Sequence, residues 1–252
     1  MNKEYRIVTC CNRIPTEPYY VLPQYFSSLK GEEPIVLTEE FGGRWGGLAS
    51  KPKWLYKAIV EKYIDTPYIL FTDCWDLLFA VKPEAVFKMY MKLTDGNSIL
   101  ISTEKNCFPD TLKKEFDEVA YAVSKAVGEP IEYKYINSGF IIGKTSDILK
   151  CLEAMDLPNL PDDHFDGEKN IHPNDQFEWQ KIWATLDTVD FYLDYDQMFS
   201  ATLHETTPDQ LDFTGDMIKL KSTDTFPLTW HMNGNGKTSG CREAILKHLN
   251  LL

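Results

Sequence analysis

Short apolar runs alternate with amphipathic stretches along most of this chain. Tyr5–Cys10, Pro34–Thr38, Tyr68–Thr72, Ser98–Ser102 and Tyr135–Ile142 read as strands. Between them, Pro18–Leu29, Lys53–Tyr63, Pro83–Met91, Leu112–Val127 and Ser146–Met155 carry apolar side chains at helical spacing. In Lys53–Tyr63 one face holds Trp54, Leu55, Ala58 and Ile59. Pro83 is well placed in a first helical turn, whereas Pro23 interrupts its helix. Further on, the pattern predicts a helix over Asn174–Leu186 capped near Pro173–Asn174, short strands at Val189–Leu193 and Met217–Leu220, and a closing helix over Gly240–Leu249. Alternating strands and helices over the first 155 residues predict an α/β fold: a mostly parallel central sheet flanked by helices. The segment Pro158–Pro173, rich in Pro, Asp, Asn and His, reads as a long polar loop. No repeat or linker divides the chain, so a single domain over residues 1–252 is expected.

Composition narrows the classes. The net charge of −12 opposes nonspecific binding to a phosphate backbone, which makes nucleic acid a weak candidate partner unless a local basic patch overrides the total. Lys51, Lys53, Lys57, Lys113 and Lys114 are the residues that such a patch would use. The six cysteines form no Cys-x-x-Cys pair, so a zinc ribbon or thioredoxin-type site is not expected; they read as free thiols of a reducing compartment. The N-terminus lacks the apolar core of a signal peptide, and no run approaches 18 apolar residues. A cytoplasmic protein without a membrane span is the expectation.

The most informative segment is Tyr68-Ile-Leu-Phe-Thr-Asp73-Cys-Trp-Asp76, a strand that delivers two carboxylates at its C-terminal end. In open α/β sheets ligands bind at that edge. Carboxylates beside a core need a compensating charge, and a divalent metal holding a diphosphate is one source of it. Ordinary turn and N-cap acids are the plainer alternative. A second segment, His231-Met-Asn-Gly234-Asn-Gly236-Lys237, follows an apolar run. Its glycines allow backbone amides to approach an anion, His231 offers a nitrogen ligand and Lys237 a charge for a phosphate. It is not a P-loop, because His231 stands where that pattern needs Gly. In Tyr135-Ile-Asn137-Ser-Gly139, a glycine inside a strand implies close approach by a ligand or another backbone, or a β-bulge around a satisfied Asn. Asn174-Asp175-Gln176 opens a helix, and Glu104 follows a buried strand on the edge expected for Asp73.

Taken in order, these motifs resemble the glycosyltransferase domain of the procollagen lysyl hydroxylase family, a GT-A glycosyltransferase. The resemblance rests on Phe71-x-Asp73-x-x-Asp76, Glu104 with Phe108-Pro109, Ile136-Asn-Ser-Gly139, Asp175-Gln176 and His231-x-Asn-Gly234. It extends more weakly to Trp45-Gly46-Gly47 and Lys51, which are similar to a donor-side Trp-x-Gly-Gly and Lys. Asn174 in place of an acid and the doubled Asn-Gly depart from that family, and nothing resembles its dioxygenase portion.

The resemblance implies a Rossmann-like GT-A domain, with a nucleotide-binding part over about 1–80 and an acceptor-side part with a C-terminal metal and phosphate loop over about 81–252. It implies transfer of glucose or galactose from a UDP-hexose to a hydroxyl acceptor (a glycan, a protein side chain or a modified base), with Mn²⁺ or Mg²⁺. On that reading Asp76 and His231, with Asp73 directly or through the ribose, bind the metal. Thr9, Cys10 and Asn12 hold the nucleoside beside Trp45 or Trp75, Lys51 serves the donor side, and Gly234, Gly236 and Lys237 meet the diphosphate. Asp175, Glu104 and Asn137 form the catalytic acceptor side, the two acids being candidate bases. Three other readings stand beside it: a glycosyltransferase of hydroxylated bases, a non-catalytic sugar-nucleotide-binding module, and a nucleotidyltransferase.

Overall fold

The computed structural model describes residues 3–12, 21–160, 175–237 and 239–252. The elements run β1 (Tyr5–Cys10), α1 (Leu22–Ser28), β2 (Ile35–Leu37), α2 (Glu39–Gly42), α3 (Ser50–Val60), β3 (Tyr68–Thr72), β4 (Leu77–Phe79) and α4 (Pro83–Thr94). They continue with β5 (Ile99–Glu104), α5 (Lys113–Val127), β6 (Tyr135–Lys144), α6 (Thr145–Ala154), α7 (Asp175–Thr185), β7 (Phe191–Asp194) and β8 (Ser200–Thr202). The last are β9 (Leu211–Asp212), β10 (Lys219–Leu220), β11 (Thr229–His231) and α8 (Gly240–His248).

Six strands form the central sheet in the order β2-β1-β3-β6-β5-β7. Only β6 runs against its neighbours; β1 pairs in parallel with β2 and β3, and β5 with β7. The C-terminal ends of β1, β3, β5 and β7 therefore lie along one edge, with Cys10, Thr72, Glu104 and Asp194 as their last residues. Strand order reverses on either side of β1, the kind of switch point where open sheets bind ligands.

Both sheet faces are covered, which is why its strands read as continuous apolar runs. Ile69, Phe71, Ile99, Ile101 and Ile141 pack on one side with Leu55 of α3, Ile148 and Leu152 of α6, and Trp179 and Ile182 of α7. Leu70, Leu100, Phe140 and Ile142 pack on the other with Tyr25 of α1 and Phe87 and Tyr90 of α4. The alternation follows the two-residue period of a strand.

A second sheet, β4-β11-β8, has its own core with α8. The apolar spacing did not predict β4 or β8, because each is only three residues long. A corner built on buried polar groups joins the two sheets. Asp194, ending β7, accepts the backbone N–H groups of Met198, Phe199 and Ser200 at 2.9 Å each. Gln197 donates to the Thr103 carbonyl at 2.9 Å and accepts the Thr202 N–H at 2.8 Å. This fixes the start of β8 against the end of β5.

Some boundaries shift from those the pattern predicts. The second predicted helix begins at Ser50, three residues early. β5 runs on to Glu104, so that acid is the strand's last residue and not a loop residue after it. The predicted start of the helix at Pro18, the loop Pro158–Pro173 and the cap at Asn174 lie wholly or largely outside the described residues.

Phe140 is fully buried at the centre of the sheet. Phe140→Ala is expected to destabilise the fold by about 3–5 kcal/mol in urea titration; a loss below about 1 kcal/mol would show that this face is not the closed core described.

Candidate active site

Two acids and a histidine meet beyond the C-terminal edge of the main sheet. As the chain leaves β3, the Asp73 N–H donates to the Gly139 carbonyl of β6 at 2.9 Å. Asp76 stands one residue before β4, whose antiparallel pairing with β11 sets His231 opposite Leu77. The Met232 N–H continues that ladder to the Asp76 carbonyl at 2.7 Å. His231 Nε2 thereby lies 3.3 Å from Asp76 Oδ1 and 3.8 Å from Asp73 Oδ2. One potential ligand atom from each of Asp73, Asp76 and His231 falls within 4.8 Å of the others.

Two carboxylates and an imidazole at this separation are a donor set that could hold a divalent cation. His231 Nδ1 is buried without a hydrogen-bond partner among the described residues. A metal-binding imidazole is usually steadied through its second nitrogen; here packing takes that role. A Cβ on Gly139 would overlap the His231 ring. The glycine inside the strand therefore makes room for an imidazole side chain, neither for a ligand nor for another backbone.

Two lysines face the carboxylates. Lys51 of α3 places Nζ 2.5 Å from Asp73 Oδ1 and 3.0 Å from Asp175 Oδ2, and its charge is deeply buried. Burial disfavours that charge, but the two carboxylates more than offset it and hold the ammonium form well above the usual lysine range. Lys237 Nζ lies 2.9 Å from Asp76 Oδ2. The acids respond in opposite directions. Burial raises Asp73 despite Lys51, with Asp76 adding to the rise. Asp76 is also penalised by burial, yet His231 and Lys237 hold it well below the usual carboxylate range. For His231, burial opposes the charged form and is outweighed by Asp76, which raises its pKa.

Glu104 is buried and bound by three amides. Its Oε1 accepts from Asn137 at 3.2 Å and Gln176 at 2.8 Å, and its Oε2 from Asn233 at 2.8 Å. Desolvation raises its pKa although these donors oppose the rise. Asn233 also accepts the N–H groups of Leu203 at 2.9 Å and His204 at 3.0 Å, just after β8. Glu104 thus ties the segment after His231 to β5, β6 and α7. Asn137 is itself saturated, since its Oδ1 accepts the Gly139 N–H at 3.0 Å. The pairing passes from Ile101–Ile141 to Thr103–Ile136, so the extra residues of the predicted bulge lie in β6, in the Asn137-Ser-Gly139 segment itself. Asp175 begins α7, buried, and accepts from Ser138 Oγ at 2.8 Å in addition to Lys51.

A cavity of about 180 Å³ opens beside these groups, walled by Cys10, Asn12, Trp45, Lys51, Asp73, Trp75, Asp76 and Lys237. Of the residues expected around a nucleoside, Thr9 is not among its walls. It is fully buried in β1, with its hydroxyl beside Tyr25 of α1 and Cys74. Gly234 and Gly236 do not line it either. Gly234 has φ of +54° and packs on His204, and Gly236 packs on the Leu203 backbone. The Gly236 N–H is already given to the Asn233 carbonyl at 2.9 Å. These glycines answer to turn geometry and close packing, leaving Lys237 as the member of the segment that reaches the cavity.

Asn233, Ser138, Gln176 and His204 were not singled out for the roles they have. Asn233, Ser138 and Gln176 stood inside recognised motifs, and that was the one available signal. The doubled Asn-Gly needs both asparagines, as Asn235 Oδ1 accepts the Glu205 N–H at 2.7 Å.

The family described as the PLOD GT domain matches residues 37–241. Human procollagen-lysine,2-oxoglutarate 5-dioxygenase 2 is 25% identical over 192 residues, which cover 73% of this chain and 23% of that protein. The mouse protein of the same name is 27% identical over the same shares. The chain thus spans about a quarter of those relatives. An uncharacterized protein of Acanthamoeba polyphaga mimivirus is 30% identical over 37% of this chain and 19% of its own length. Among solved structures, a glycosyltransferase involved in glycosylation of the major capsid of PBCV-1 superposes with TM-score 0.52 at 14% identity, covering 98% of this chain and all of that one. Mouse xyloside xylosyltransferase 1 in its apo form gives TM-score 0.51 at 12% identity, covering 92% of this chain and 98% of that one. Both likenesses concern the fold, and they match its mostly parallel sheet flanked by helices.

Two outcomes follow from this geometry. Gly139→Ala should displace the His231 ring, costing about 1–3 kcal/mol of stability in urea titration; wild-type stability would refute the packing argument. The second concerns pH. His231 is raised above its ordinary 6.5, so its stabilisation is full below that pH and is lost as pH rises through the folded value. Asp76 is depressed below 3.8, so its stabilisation is present above that pH and is lost on acidification. In chelator-treated protein, the melting-temperature gap between wild type and His231→Gln should narrow from pH 6 to pH 9; a constant gap would contradict the ion pairing.

Proposed function

The chain belongs to the family described as the PLOD GT domain, and from that membership, which makes it a glycosyltransferase domain, we propose a metal-dependent hexosyltransferase. It moves glucose or galactose from a UDP-sugar to a hydroxyl acceptor. The observation that carries this reading is the cluster of Asp73, Asp76 and His231, whose two acids line a cavity that also presents Trp45, Trp75 and Lys237.

A divalent ion held by Asp73, Asp76 and His231, Mn²⁺ or Mg²⁺, supplies positive charge against the leaving diphosphate. The chain's own groups do the rest. Trp45 and Trp75 give flat walls for uracil and ribose, and Asn12 and Cys10 close the nucleoside end. Lys237 stabilises negative charge as it develops on the leaving group. Lys51, locked between Asp73 and Asp175, sets a positive charge against both carboxylates inside a low-dielectric site. Asp175 is the candidate base for an inverting transfer, with Ser138 fixing its carboxylate. If configuration is retained, the leaving phosphate takes the acceptor proton and Asp175 serves orientation only. Glu104, enclosed by Asn137, Gln176 and Asn233, acts as a positioning residue in this reading. The acceptor is a hydroxyl of a glycan, a protein side chain or a modified base.

A thermal-shift screen of nucleotide sugars tests the donor assignment. UDP-glucose or UDP-galactose should raise the melting temperature only with Mn²⁺. Asp76→Asn and His231→Ala should lose that shift, and UDP release should fall by on the order of 10²-fold or more. A full shift and normal turnover in both variants would overturn the metal assignment.

A further inference from the structure

We propose that Lys237 is a resident counter-cation of the Asp73–Asp76–His231 site, which weakens binding of a divalent metal on its own and makes metal and nucleoside diphosphate bind cooperatively. The inference rests on the metal-dependent reading above and adds an order to it.

The two lysines of the site are held differently. Lys51 is buried on α3 and bridges two carboxylates, at 2.5 and 3.0 Å. If Asp73 turned toward a metal, Asp175 would still hold that ammonium. It is a fixed strut. Lys237 sits at the end of a single 3₁₀ turn, Gly234–Lys237, with its side chain 24% exposed, and reaches Asp76 at 2.9 Å from the mouth of the cavity. Asp76 has His231 Nε2 near one oxygen and Lys237 Nζ on the other. A cation bound by Asp76 would therefore have an ammonium group as its close neighbour.

Charge balance decides the outcome. Among the described residues, three carboxylates, Asp73, Asp76 and Asp175, face two ammonium groups and one imidazole. The ammonium groups already stand against the acids that a metal would use. A divalent ion added alone leaves excess positive charge in a poorly solvated site, where Lys51 on Asp73 and Lys237 on Asp76 both repel it, and Lys237 is the one at the cavity mouth where a diphosphate would arrive. A nucleoside diphosphate carries enough negative charge to accept the metal and Lys237 together. Each ligand then raises the affinity of the other by the same factor, as linkage requires. The lysine protects the carboxylates while the site is empty and transfers its charge to the diphosphate when the donor arrives. Free metal is thereby disfavoured as a ligand in its own right.

The test is calorimetric titration of Mn²⁺ into the chain, with and without saturating UDP, supported by the Mn²⁺ paramagnetic resonance signal. Wild type should bind Mn²⁺ alone weakly and at least roughly tenfold more tightly with UDP. Lys237→Met should bind Mn²⁺ alone several-fold more tightly than wild type, and the UDP-dependent gain should shrink at least roughly fivefold. Lys237→Arg, which keeps the charge, should behave as wild type, and Lys237→Gln gives a second neutral variant if the methionine protein does not fold. Unchanged Mn²⁺ affinity and an unchanged UDP-dependent gain in the neutral variants would overturn the counter-cation role. Wild-type protein that binds no Mn²⁺ with or without UDP would overturn the metal reading and this inference together. Wild type that binds, with Asp76→Asn that does not, keeps the metal reading intact whichever way the Lys237 variants fall.

Discussion

Everything around the candidate site depends on holding several acidic side chains in a place where water is scarce. Asp76, Glu104 and Asp175 are buried and Asp73 is mostly so. Isolated carboxylates in such surroundings would be strongly destabilising. The fold handles each one differently. Asp73 and Asp175 share Lys51, Asp76 has His231 and Lys237, and Glu104 has a ring of three amides. These partners come from α3, β6, α7, β11 and the turn after it. The requirement to compensate the acids therefore binds together elements spread over almost the whole chain.

The second, three-stranded sheet gives that requirement its geometry. β4 follows directly from the Asp73–Asp76 segment, and β11 pairs with it in a register that leaves His231 next to Asp76. β8 is anchored by Asp194 and Gln197 to the ends of β7 and β5, so the sheet that carries His231 cannot shift relative to the main sheet without breaking buried hydrogen bonds. Such bonds contribute modestly when made and cost more when one partner is left unsatisfied. That asymmetry gives the site a single arrangement. Gly139 completes it sterically, since the His231 ring occupies the space a side chain would need.

Much of this was legible along the chain because the relevant signals are local. The buried run Tyr68–Thr72 announced a strand, and Asp73 and Asp76 stand where its period ends. His231 and Lys237 were recognisable within one short segment. Other roles depended on pairing at a distance. Glu104 was placed just after its strand until β5 proved two residues longer, and nothing local in the pattern showed that Thr9 is fully buried within β1. Glycines 234 and 236 invited a phosphate reading that His204 and Leu203 displace.

The sequence by itself determined the α/β class, the order of the main strands and helices, and the short segments that carry Asp73, Asp76 and His231. Those follow from the period of apolar side chains and from the chemistry of each residue type, which a linear pattern records. Only the tertiary structure decided which acid faces which lysine, that Glu104 is clasped by amides, and that Gly139 exists for His231. Those outcomes depend on strand register and sheet-to-sheet contact. They are set by residues as far apart as Glu104 and Asn233, whose approach no local periodicity encodes.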